Sequence, residues 1–292
     1  MNTVLVTVSD DRFGRKDGRY EITQKKIENL FKNNSHFGIS SCRMWTVSDI
    51  IETDFYKKDP TSLINNPDPS INGRVYKPLS ILETLKTLND GDFLIYSDCS
   101  PEMWDMREDF IILPKEYKLD VIKNLCITNG GILTAHVKWN HTTHVNKGEI
   151  GFHTHENFTT DLCMTKMGLT DFKYSMQHAS GMIVLQKSKR SLDFLEEWLY
   201  WNSIEECAAW YNEGLGKIGH RHDQSISGLL INKMGNNIIE TLDWYERNPG
   251  ESPYLFLNFC KPEYKYNFFK SNQPMRNVQF KMVGPDIEIT NR

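Results

Sequence analysis

The densest chemistry in this chain is the string Gly219-His220-Arg221-His222-Asp223-Gln224-Ser225. It leads into an apolar-periodic stretch, Asp223 to Met234, whose Ile226, Leu229 and Leu230 would face inward on a helix. Two imidazoles, a guanidinium, a carboxylate and an amide at a helix start can bind an anion or a metal, or position a hydroxyl. A plain N-cap at Asp223 is the simpler reading, but it leaves the other polar groups without a task. Two acidic turns also follow apolar runs: Ser9-Asp10-Asp11-Arg12 after Val4–Val8, and Ser97-Asp98-Cys99-Ser100 after Phe93–Tyr96. A carboxylate at the end of a buried strand can hold a hard divalent cation against a diphosphate. It can equally be an ordinary turn residue. Lys77, at the start of the helical stretch that precedes Phe93–Tyr96, opposes the helix dipole and so has no stabilising task there. It could face a phosphate, or simply sit in solvent. Gln177-His178-Ala179-Ser180-Gly181 precedes another apolar run. Its small residues let a ligand ring approach backbone, although packing would explain them as well.

Several other templates are weak or missing. His136, His141, His144, His153 and His155 invite a zinc reading, but their spacing is irregular and no cysteine pair lies nearby. A polar rim for an acceptor is the better expectation. No GxGxxG follows the first strand, and there is no Walker A, HExxH or GxSxG sequence. The six cysteines are scattered with no CxxC pair, which suits reduced, mostly buried thiols.

The elements that must position these groups alternate short apolar runs with helical stretches. That is the pattern of an α/β domain with a largely parallel sheet. Strands are expected at Val4–Val8, Ile39–Trp45, Asp92–Tyr96, Ile132–His136 and Gly181–Gln186. Helices are expected at Arg19–Lys32, with Ile27, Leu30 and Phe31 inward, from Pro78 to about Leu88, and at Pro114–Asn129. Further helices are expected at Asn157–Met167, Ser188–Trp201 and Asp223–Met234. Asp59 to Pro78, rich in Pro and Asn, reads as a loop. The expected fold is a single α/β domain over 1–250, Rossmann-like, with a mixed but mostly parallel sheet flanked by helices. Residues 251–292, rich in Pro, Asn and aromatics, would wrap around that domain. In open α/β sheets, ligands sit beyond the C-terminal strand ends, where both acidic turns fall.

Composition narrows the classes further. The 292 residues, 34 basic and 38 acidic, carry a formal charge of -4. This is no basic footprint for general nucleic-acid binding. No apolar run reaches the roughly 18 residues of a membrane span, and the start lacks the features of a secretion signal. A cytoplasmic protein is expected.

The ordered set Tyr76-Lys77-Pro78-Leu79-Ser80-Ile81-Leu82, Asn89-Asp90-Gly91-Asp92, Phe93 to Ser100, Ala179 to Val184 with the Glu197-Trp198 helix, and His220 to Ser225 resembles small GT-A glycosyltransferases of bacteria and large DNA viruses. The resemblance covers roughly residues 1–240. It implies a GT-A fold and transfer of a sugar from a nucleoside-diphosphate sugar to a glycan or other hydroxyl acceptor. By the same resemblance Ser9, Asp10, Asp11, Arg12 and Lys77 would contact the nucleotide and its diphosphate. Gln177, Ser180, Gly181 and Gln224 would line the donor-sugar and acceptor site, with Asp223 as the catalytic base. The family's metal motif usually has two Asp separated by one residue. Here the first position falls on Tyr96 or Ser97 and only Asp98 is acidic, so Mn²⁺ or Mg²⁺ would be held by Asp98 with His220 or His222, or held weakly. A non-catalytic sugar-nucleotide or carbohydrate-binding protein is the alternative.

Overall fold

The computed structural model describes residues 1–9, 18–33, 38–58, 75–99, 119–134, 138–140, 150–152, 154–208, 220–235, 278–283 and 286–291. Strand β1 (Thr3–Val8) leads through helix α1 (Arg19–Lys32) to β2 (Ser41–Trp45). Two short helices, α2 (Val47–Ile51) and α3 (Asp54–Lys58), precede α4 (Tyr76–Thr87) and β3 (Phe93–Ser97). Next come α5 (Leu119–Thr128), β4 (Ile132–Leu133), the paired strands β5 (Lys138–Asn140) and β6 (Ile150–Phe152), α6 (His155–Phe158) and α7 (Asp161–Met167). Strand β7 (Met182–Gln186) is followed by α8 (Lys189–Asn202), α9 (Glu205–Ala208) and α10 (Asp223–Lys233). In the segment read as a tail, β8 (Val278–Val283) and β9 (Asp286–Asn291) form an antiparallel pair.

Five strands form one sheet in the order β2-β1-β3-β7-β4. β1 pairs parallel with β2 and β3, whereas β7 runs antiparallel to both β3 and β4. The α/β class and the mixed sheet agree with the sequence reading: β2, β1, β3 and β4 run in one direction, and β7 is the strand of this sheet that opposes them. An apolar run fully buried between two layers looks the same in either direction, so direction was not legible in the strand sequences.

Alternation along the strands supplies two cores. Val4, Val6, Leu94, Tyr96, Ile183 and Leu185 join a cluster with Leu79, Leu82, Trp198 and Ile226 from α4, α8 and α10. Leu5, Phe93, Ile95 and Val184 point the other way and pack with Ile27 and Phe31 of α1 and Ile122 and Cys126 of α5. A period of two thus puts helices on both faces. No helix among the described residues is long and apolar enough to cross a membrane. The Cys99, Cys126, Cys163 and Cys207 thiols are buried and the Cys42 thiol is half-buried.

Local chemistry explains the differences in element boundaries. Helix α4 starts at Tyr76, so Pro78 lies third in the first turn rather than first. Its missing N–H is harmless there, because first-turn amides have no intrahelical partner. The helix expected over Asn157–Met167 breaks at Thr159 and Thr160, both extended. The Thr160 hydroxyl accepts from Cys163 N and caps α7 afresh. The loop over 59–74, the start of the Pro114 helix, the end of the Ile132 strand and most of 251–292 lie outside the described residues.

Candidate functional site

β1 and β3 run side by side, with Val6 opposite Tyr96. Their C-terminal ends therefore emerge together. Cys99 Sγ reaches Val8 O at 3.1 Å, and buried Ser9 donates its N–H to Trp45 O at 2.9 Å. Asp98 leaves this edge just past β3. The antiparallel ladder continues one step beyond the strands, with Asp98 N donating to Gly181 O at 2.8 Å. A side chain at Gly181 would put its Cβ 2.9 Å from Asp98 Oδ2, so glycine leaves room for that carboxylate.

Four separate segments meet at the Lys77 ammonium. It lies 3.1 Å from Asp98 Oδ1, 2.8 Å from Asp223 Oδ2 and 3.2 Å from Ser180 Oγ. Ser180 donates in turn to Asp223 Oδ2 at 2.8 Å, and the Tyr96 hydroxyl donates to Asp98 Oδ1 at 2.8 Å. Lys77 and Asp223 keep only 13% and 14% of their side-chain surface, while Asp98 keeps 33%, so the cluster opens on the Asp98 side. Burial alone would lower the Lys77 pKa. The charges of Asp223 and Asp98, with their hydrogen bonds, outweigh it and carry that pKa above the ordinary lysine range. Burial, then the Asp98 charge, pushes the Tyr96 phenol well above its ordinary value, so it remains a donor.

Asp223 is the first residue of α10 and the strained residue before it sets its direction. His222 adopts φ 50° and ψ -117°, a region costly for a side chain with a Cβ. Its Nδ1 bonds Ala208 O at 2.9 Å. Fully buried Trp198 donates Nε1–H to Asp223 O at 2.9 Å and fixes the helix start from beneath. A carboxylate in this first turn also gains from the helix dipole.

Of the other expected site residues, Gln224 is half-buried and donates to Gln177 Oε1 at 3.2 Å. Gln177 is fully buried, with Nε2 3.0 Å from Phe158 O, Thr159 Oγ1 and Ser225 Oγ. In place of the sugar contact expected of it, it ties the α10 entrance to the α6–α7 corner. His220 is also buried: Nε2 contacts Cys207 O at 2.8 Å, and Nδ1 accepts from Thr160 N at 3.3 Å. Both ring nitrogens are thus engaged with backbone, which leaves no lone pair for the metal role expected of it. Among the described residues no group of three or more His, Cys, Asp or Glu side chains is arranged to hold a metal ion. The expected Asp98–His220–His222 set does not fit a metal in this arrangement, because Lys77 stands against Asp98 and His220 is spent elsewhere. Asp10, Asp11 and Arg12, and His136, His141, His144 and His153, lie outside the described residues; His155 is fully buried.

Sequence reasoning missed two contributors. In the family motif Tyr96 marks only a place for a second acid, yet its two-residue spacing from Asp98 puts both on one strand face. The spacing of Trp198 with Leu192, Leu195 and Leu199 reads as the apolar face of a helix, and nothing in it marks an indole N–H aimed at Asp223. Comparisons with protein families, with curated proteins and with solved structures return no match.

Proposed function

We propose that this chain is a nucleotide-sugar-dependent glycosyltransferase of GT-A type, acting on a glycan or other hydroxyl acceptor in the cytoplasm. The observation that carries the reading is the meeting of Lys77, Asp98, Ser180 and Asp223 at the C-terminal edge of the parallel strands. These residues come from the segments on which the family resemblance rests. A diphosphate leaving group is recognised by positive charge, and Lys77 offers a fixed ammonium at this edge. In transfer, the acceptor oxygen forms a bond to the anomeric carbon. The bond from that carbon to the diphosphate oxygen breaks, and the diphosphate keeps the electron pair. The acceptor's proton passes to the Asp223 carboxylate. Ser180 and Gly181 shape the approach to Asp223 and Asp98, and Gln224 lies one residue further along α10.

One observation favours a second reading, a sugar-nucleotide-binding protein without turnover. Both carboxylates already pair with Lys77, as they would in a purely structural ion pair. Turnover separates the two. Purified protein is incubated with UDP-, GDP-, CMP- and dTDP-linked sugars, and release of the nucleotide is followed with and without added glycan acceptors. The transferase reading expects release from one donor class, reduced about 100-fold or more in a folded Asp223→Asn protein, the scale of a lost general base. Saturable binding of a donor with no release on any acceptor favours the binding protein, and neither binding nor release defeats both.

A further inference from the structure

We propose that the resident cation of this site is the Lys77 ammonium, which takes the place a divalent ion would occupy between Asp98 and Asp223. The use we assign it, facing the donor diphosphate without a metal, rests on the glycosyltransferase reading; its occupation of the cation position does not.

An ammonium has three N–H donors and no acceptor. Lys77 faces three oxygen acceptors on three different segments, Asp98 Oδ1, Asp223 Oδ2 and Ser180 Oγ, at 3.1, 2.8 and 3.2 Å. Its donor set is therefore matched in full by a ring of hard oxygens, the ligand type that Mg²⁺ or Mn²⁺ prefers. The two carboxylates come from residues 98 and 223, just past β3 and at the start of α10, and without a cation between them they would repel. Tyr96 adds a hydrogen bond to the Asp98 oxygen that faces the ammonium. The Tyr96 ring centroid lies 5.5 Å from Nζ, within reach of a cation–π contact. The lysine stem descends from the first turn of α4, where a cation gains nothing from the helix. Its charge finds its partners in the carboxylates instead. A divalent ion entering this position must displace the ammonium or accept its repulsion, and His220 offers it no lone pair.

The test uses Mn²⁺ alone, with no nucleotide, titrated into the full chain and followed by the electron paramagnetic resonance signal of free Mn²⁺. Wild type, Lys77→Met and Lys77→Met with Asp98→Asn are compared, each checked for cooperative unfolding. The proposal expects Lys77→Met to bind one Mn²⁺ at least about tenfold more tightly than wild type, a difference the affinity scale makes readily measurable. Adding Asp98→Asn should remove that gain. Equal affinity in wild type and Lys77→Met overturns the proposal. If Lys77→Met does not fold, wild type decides. Saturable Mn²⁺ binding that Asp98→Asn abolishes overturns the proposal, and absence of such binding supports it. Because no donor is present, failure to turn over a sugar nucleotide would leave this result standing and count only against the transferase reading.

Discussion

Lys77 keeps its charge because two carboxylates outweigh the burial that opposes it. A folded pKa above the ordinary lysine value of about 10.4 fixes the sign of its linkage to stability. Its contribution is complete below that ordinary value and is lost only as pH rises through the higher folded pKa. The stability difference between wild type and Lys77→Met, measured by urea unfolding, should therefore stay level from about pH 6 to about pH 9. Breaking a buried pair from one side costs about 3–5 kcal/mol, and the partly exposed Asp98 places this case toward the lower figure. A difference that shrinks steadily between neutral pH and pH 9 would show that Lys77 titrates there and is not held by the carboxylates. Asp98 and Asp223 were legible as candidates because a strand end and a helix start expose a carboxylate by construction. Their shared partner was not. Lys77 lies 21 residues from one and 146 from the other, and nothing local says that α4 delivers its first turn between them.

Helices were readable from periodicity, and α1 and α8 fall within a residue of expectation at both ends. Ser188 caps α8 through Ser191 N, which a Ser before an apolar-periodic run announces. Tertiary contact decided what periodicity could not. Helix α10 carries Gly228 in its interior, where the sequence gives no reason for it. A Cβ there would lie 3.0 Å from His155 Cε1 and 3.2 Å from both His155 Nε2 and His178 N. His155 is fully buried, with Nδ1 2.7 Å from Thr159 Oγ1 and Nε2 3.3 Å from Asn232 Nδ2, so its ring has little room to shift. In an exposed helix Gly→Ala gains about 1 kcal/mol. Here Gly228→Ala should lose about 1–3 kcal/mol through overpacking. Chemical denaturation checks the sign, and a stabilised Gly228→Ala protein would contradict the packing described for α10.

Across the molecule, the α/β class and the helices on both sheet faces were legible because fully apolar strands alternate with amphipathic helices. Strand direction was not, since β7 could have satisfied the same burial either way. The mixed sheet matters to the site: the antiparallel β3–β7 pair puts Gly181 opposite Asp98, a contact that parallel pairing of these strands would not give in this register. The site lies where parallel strands β1 and β3 end together, the edge at which open α/β sheets receive ligands. A ligand that binds only the folded chain raises its melting temperature. The most direct measurement is the melting temperature of wild type and Lys77→Met with UDP-, GDP-, CMP- and dTDP-linked sugars, each with EDTA and with Mn²⁺. The account predicts that sugars on one nucleotide class stabilise wild type equally in EDTA and in Mn²⁺, and that Lys77→Met loses the stabilisation in EDTA. No stabilisation of the wild-type chain by any of the four classes would contradict it.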